Sequence, residues 1–321
     1  MTQFRLARAA RALMLAAAVL LLAPAAAPAR SATPDQIAHY LESYDYDHAA
    51  PLNAELSTRS DSGTYTVHSL AFDSVNGERV PALLFLPANG APAHPCVVFL
   101  HGYGGDKSMA NMFAPSLTGG GLAVLAIDAQ YHGERKQPGK NVLTTDADNN
   151  RAAFHQSIMD LRRAVDYLET RDDIDASRIG FLGVSMGSFM GAVFAGVDAR
   201  VKTALFIVGG GGWDEFFANS QVPPIVAIRE HCGKTGAPLA TFADSMQSVD
   251  AVYFVGLMAP RPMLMINCSD DIIVPKQNAE LLFEAAGEPK HIEWFKCGGT
   301  GHIPPPGKTQ ILIGKWFKKN L

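Results

Sequence analysis

Apolar residues along this chain keep two rhythms. Continuous runs at 95–100, 122–127 and 262–267 have the length and residue types of strands buried on both faces of a parallel sheet. Further strands are read at 202–208, at 292–295 and just before Ser185. Residues 64–72 and 79–85 are rich in strand formers and are joined through Asn76-Gly77, a hairpin signal. Between the strands the period changes. In 150–169, Ile158, Leu161, Val165 and Leu168 make one helical stripe, with Asp160, Arg162 and Arg163 largely off it. Helices are also read at 109–117, closed by three glycines, and at 188–195, 276–286 and 310–319. Strands alternating with helices predict an α/β fold: a mostly parallel sheet of about eight strands, flanked by helices and opened by an antiparallel hairpin.

The rhythm fails in two places. The stretch 30–62 opens with Thr33-Pro34-Asp35-Gln36, a capping box with proline in the first turn, and Tyr40, Leu41 and Tyr44 pack that helix on the outside of the domain. Residues 45–62 are polar and irregular. Residues 213–258 read as three short helices, 213–218, 225–231 and 239–249, linked by Pro223-Pro224 and by 233–238. That block is too long for a strand-to-helix connection. It is read as a small helical cap over the strand ends, inserted in a domain spanning 63–321. Trp213, Phe216 and Phe217 either line a pocket beneath it or pack its interior.

Residues 1–29 carry Arg5, Arg8 and Arg11, then an apolar run to Ala23, Pro24 and an Ala27-Pro28-Ala29 site, which predicts a secretory signal peptide. Removing it takes three arginines and no acids, moving the formal net charge from −4 to −7. An acidic mature chain is a poor partner for nucleic acid or anionic membrane, and export to the periplasm or outside would let its four cysteines oxidise.

The chemistry gathers around Gly183-Val184-Ser185-Met186-Gly187. A G-x-S-x-G between a strand and a small-residue helix is a nucleophile elbow, which lifts the serine hydroxyl above the sheet. Such a serine needs a base and an orienting carboxylate, both from loops after strands. His302 follows the last strand on a glycine loop, and His101 and His132 also follow strands. Asp270 and Asp271 both follow the 262–267 strand, and spacing does not separate them. No histidine pair has metal-ligand spacing, and the chemistry needs no cofactor.

Phe99-Leu100-His101-Gly102-Tyr103, the elbow, Pro260-Arg261-Pro262-Met263-Leu264, Asp271-Ile272-Ile273-Val274-Pro275 and Gly301-His302 together resemble the α/β-hydrolase superfamily, in particular dienelactone-hydrolase-like and acetyl-xylan-esterase-like serine carboxylesterases. The resemblance implies Ser185 as nucleophile, His302 as base and Asp271 as acid. In these relatives the acid stands three residues before an aliphatic residue and four before a proline, which leaves Asp270 as runner-up. It also implies an oxyanion hole from the Tyr103 and Met186 backbone N–H groups, a structural role for His101, and a bracing role for Asp128 and the 132–135 run. Many relatives carry histidine where Val184 stands.

The expected activity is hydrolysis of small-molecule carboxylic esters, acetyl to butyryl preferred, through an acyl-enzyme. A prolyl-oligopeptidase-like peptidase and a non-catalytic binding protein on the same scaffold are the alternatives. In the implied fold the strands before Asp271 and His302 are neighbours. That brings Cys268 and Cys297 within disulfide reach, with two buried thiols as the alternative.

Overall fold

The computed structural model describes residues 32–321, so the leader read at 1–29 lies outside the described residues. Nine strands build one sheet: β1 (Glu55–Asp61), β2 (Tyr65–Asp73), β3 (Arg79–Pro87), β4 (His94–Leu100), β5 (Ala123–Ile127), β6 (Ile174–Val184), β7 (Val201–Ile207), β8 (Met263–Cys268) and β9 (Lys290–Phe295). Their order is β1-β2-β3-β5-β4-β6-β7-β8-β9. The first three strands and the β3–β5 contact are antiparallel, and every pairing from β5 to β9 is parallel.

Both faces of the parallel part are covered, which is why its strands read as unbroken apolar runs. Along β4, Cys96, Val98 and Leu100 pack with the helices Ala147–Glu169 and Met186–Val197, while Val97 and Phe99 pack with Ala114–Gly119 and Pro306–Asn320. The order reverses on either side of β4, so the crevice at the carboxyl ends of β4 and β6 is the topological switch point.

Three expectations need correction. Residues 55–61, read as irregular, form β1. It is exposed throughout and carries Glu55, Arg59 and Asp61, so neither face alternates; its ladder with β2 holds it, and charge keeps the edge from pairing further. The helix read at 109–117 is a 3-10 turn, Lys107–Met112, followed by a separate helix, Ala114–Gly119. Pro115 lacks the N–H that one continuous helix would need and suits the first turn of a new one.

Asp160, Arg162 and Arg163, read as lying largely off the apolar stripe of an amphipathic helix, are nevertheless buried. The segment after the first helix wraps that face. Arg163 donates to Ala50 O at 2.7 Å and to Asp166 at 2.7 Å, Arg162 donates to Tyr44 O, and Asp160 is paired with Arg135. Burying these charges is tolerable because each has a partner. The first helix, Pro34–Glu42, keeps its capping box, and Tyr44 fixes the segment by donating to Ser248 O at 2.7 Å.

Candidate active site

Ser185 stands where β6 turns into the helix Met186–Val197, at φ 52° and ψ −117°. A non-glycine residue reaches that conformation only where its surroundings enforce it. Here the Ser185 N–H donates to Ile207 O at 2.8 Å, and Ser188 donates its side-chain O–H to Gly183 O and Ile207 O at 2.9 and 3.0 Å. The flanking glycines are steric necessities. A Cβ at Gly183 would lie 2.5 Å from Gly187 O, and one at Gly187 would lie 2.2 Å from Leu100 O. Ser188 was not singled out in the sequence; its only signal there is a hydroxyl in an otherwise apolar helix start.

The loops after β8 and β9 bring the other groups to Ser185. His302 Nε2 lies 2.9 Å from Ser185 Oγ, and His302 Nδ1 lies 2.7 Å from Asp271 Oδ2. The second oxygen of Asp271 accepts from Ile273 N–H at 2.8 Å and Val274 N–H at 3.0 Å, which fixes the buried carboxylate. With Nδ1–H donating to Asp271, Nε2 is left to accept the serine proton.

Asp270 is turned the other way. It accepts from the N–H groups of Cys297 and Gly298, both at 2.8 Å, and these bonds hold its carboxyl below the usual carboxylate range. It ties the two loops together without reaching the imidazole. Beside it, Cys268 and Cys297 are joined by a disulfide with a Cα–Cα distance of 5.8 Å. Cys96 and Cys232 are buried free thiols.

The two backbone N–H groups implied as an oxyanion hole lie beside the elbow. Met186 is the first residue of its helix, where N–H groups have no intrahelical partner. The Gly102–Tyr103 peptide is held from its opposite end. Gly102 O accepts from His101 Nδ1–H at 2.8 Å and from Gly105 N–H at 3.0 Å. Because C=O and N–H point in opposite directions across a peptide plane, anchoring the carbonyl also aims the Tyr103 N–H.

His101 is therefore a clamp, far from the role of a second base. It is fully buried, and its Nε2 accepts from Ala129 N–H at 3.1 Å. Burial pushes its pKa down to about 4. His132, also lowered by burial, bonds Gln130 O through Nδ1 at 2.9 Å. Asp128 accepts from Lys107 Nζ at 2.7 Å, Lys107 N–H at 2.8 Å and Glu134 N–H at 2.9 Å, cross-linking the loops behind Tyr103.

Ser185, Met186, Tyr103 and His302 open into a cavity of about 390 Å³. The helix Trp213–Asn219 forms part of its wall. Buried Asp250 accepts from the N–H groups of Gly212 and Trp213 at 2.8 and 2.9 Å and so holds the start of that helix. Trp213 and Phe216 line the cavity. Phe217 does not: its ring stacks on Trp213 at 5.3 Å and meets Phe242 edge-on at 5.1 Å, inside the cap. Among the described residues no cluster of His, Cys, Asp and Glu could hold a metal ion, and no helix is long and apolar enough to cross a membrane.

Known proteins share this architecture. The acetyl xylan esterase from Paenibacillus sp. R4 superposes with a TM-score of 0.75 at 20% identity, covering 90% of this chain and 95% of that one. Acetyl xylan esterase 1 from Thermoanaerobacterium sp. JW/SL YS485 gives 0.73 at 16% identity, covering 91% and 95%. In sequence, esterase YjfP of Escherichia coli K12 is 27% identical over 243 residues, 71% of this chain and 89% of that protein. The family model for acetyl xylan esterase (AXE1) matches residues 29–209, which include the His101-Gly102-Tyr103 loop and the Ser185 elbow. The chain belongs to the acetyl xylan esterase (AXE1) family of carboxylic-ester hydrolases.

Proposed function

We propose that this hydrolase cleaves carboxylic esters of small molecules through a serine-bound acyl intermediate. The observation that supports this best is the unbroken line from Asp271 through His302 to Ser185, with contacts of 2.7 and 2.9 Å. Ser185 Oγ attacks the ester carbonyl as His302 Nε2 takes its proton. Asp271 keeps the imidazole in the accepting tautomer and stabilises the imidazolium. The Tyr103 and Met186 N–H groups donate to the carbonyl oxygen as it gains negative charge, worth roughly 10²–10³ in rate per donor. His302 returns the proton to the leaving alkoxide, then activates a water that releases the acid.

The test is ester turnover by single variants. Ser185→Ala and His302→Ala should each lower kcat by about 10⁵–10⁶, with the double variant little worse than either. Ordinary hydrolysis by Ser185→Ala would remove the basis of the reading. We further propose that residues 1–29 direct export and are then removed. An N-terminus beginning near residue 30 in the exported protein supports this, and an intact Met1 in the cytoplasm refutes it.

A further inference from the structure

We propose that the ester this site is built for carries an apolar acyl group of medium length or an aromatic ring, rather than acetyl on a sugar. The inference rests on the serine-hydrolase reading above and goes beyond it in naming what fills the cavity. It departs from the acetyl-to-butyryl preference read from the sequence.

The wall of the cavity is almost entirely apolar. Leu143, Phe154, Phe189, Trp213, Phe216 and Val222 line the cavity. So do Met109, Phe113 and Pro304, together with Met112 and Ile303, which are 61% and 73% exposed. Among the described residues the wall holds no aspartate, glutamate, lysine or arginine.

Its few polar side chains are engaged or turned inward. Tyr103 accepts from Asn141 Nδ2 at its hydroxyl at 2.8 Å, and Gln310 donates its amide to Met112 O. Thr309 Oγ1 and the Trp213 indole N–H are buried within the wall. A sugar recognised by its hydroxyls needs donors and acceptors aimed at them, and stripping those hydroxyls of water without replacement opposes binding.

The cavity is also far larger than an acetyl group. At about 30 Å³ for each water in the liquid, 390 Å³ corresponds to roughly thirteen water volumes. An acetyl group would displace only about two or three of them and leave aromatic walls wet. An acyl chain of about six to eight carbons would dry most of the wall, each buried methylene being worth about fourfold in binding.

The test measures kcat/KM on one leaving group, p-nitrophenol, with acetate, hexanoate and benzoate, and on an acetylated xylo-oligosaccharide. Hexanoate and benzoate should exceed acetate by about tenfold to a hundredfold, and the acetylated sugar should fall below p-nitrophenyl acetate. In Val222→Trp, which fills part of the void from a half-buried position, the hexanoate-to-acetate ratio should drop at least tenfold. Should that variant fail to fold, the wild-type series decides alone. A Ser185-dependent enzyme that prefers acetate, or prefers the acetylated sugar, overturns the inference while leaving the serine-hydrolase reading intact. Failure to hydrolyse any of these esters overturns both.

Discussion

Two regions border the same cavity and set its atoms in different ways. The loops after β8 and β9, from Cys268 to His302, are fixed by directed bonds. Asp271 has three contacts, Asp270 has two, and a disulfide joins the strand ends. The helices from Trp213 to Met258 have hydrogen bonds at their ends, such as Asp250 on the Gly212 and Trp213 N–H groups and Arg229 on Phe217 O and Ser220 O, but the part that walls the cavity is set by ring packing, with Trp213 against Phe154, Phe189, Phe216 and Phe217 at centroid distances of 5.2–5.8 Å. The first kind of support sets atoms to tenths of an ångström, as proton transfer requires. The second sets a volume and tolerates repacking. Changes in the first region should therefore strike the rate, and changes in the second should strike the choice of substrate.

The sharpest contrast lies within the first region, between adjacent aspartates. Asp271→Asn should lower kcat by about 10⁴, because an amide favours the wrong imidazole tautomer. Asp270→Asn should cost less than about tenfold in kcat, since it removes loop bonds and leaves the imidazole contact. Equal losses in the two variants would erase the distinction drawn here.

Removing the disulfide asks whether rigidity and chemistry separate. The double variant Cys268→Ala, Cys297→Ala should lose about 3.5 kcal/mol of stability, the chain-entropy value for a loop of this length. Urea unfolding measures it, and an unchanged midpoint would mean that the hydrogen bonds alone set the loops.

His101 offers a similar test through pH. Its folded pKa of about 4 lies below the ordinary 6.5, so between these values the unfolded chain binds the proton and the folded chain resists it. Stability present above pH 6.5 should fall by up to about 3 kcal/mol as pH drops toward 4. His101→Asn should flatten that slope, with His68, His132 and His155, whose pKa values burial also lowers, contributing to the remainder. A slope unaltered in His101→Asn would show that the ring is not held neutral.

The smallest expected effects lie in the cap. Phe217→Leu should cost about 1 kcal/mol and leave acyl preference alone, whereas Trp213→Phe should alter acyl preference with little loss of rate on the best substrate. If Phe217→Leu shifted the preference as much as Trp213→Phe, the distinction between wall and filling would be lost.

What the sequence could reveal follows the same division. Gly183 and Gly187 flank Ser185 because a side chain at either would strike backbone, so the motif itself carries the geometry. Asp270 and Asp271 could not be separated by position, since only the direction of their hydrogen bonds distinguishes them. Phe217 reads like Trp213 and Phe216 because all three share the buried side of one short helix, and an apolar stripe does not say which of its members faces a cavity and which packs against other helices. The buried charges at Asp160, Arg162 and Arg163 were illegible for another reason. Their partners at 44–50, 135 and 166 come from distant parts of the chain, and a helical stripe reports only its own neighbours. The edge strand β1, polar on both faces, left no alternation to read.

Covalent capture asks outright whether Ser185 is the nucleophile. After incubation with a fluorophosphonate, the intact mass should rise by one phosphonyl group, and peptide mapping should assign it to Ser185. Ser185→Ala should take up none. A wild-type protein that stays unlabelled while hydrolysing esters, or a label on any other residue with Ser185 free, would show that Ser185 is not the nucleophile.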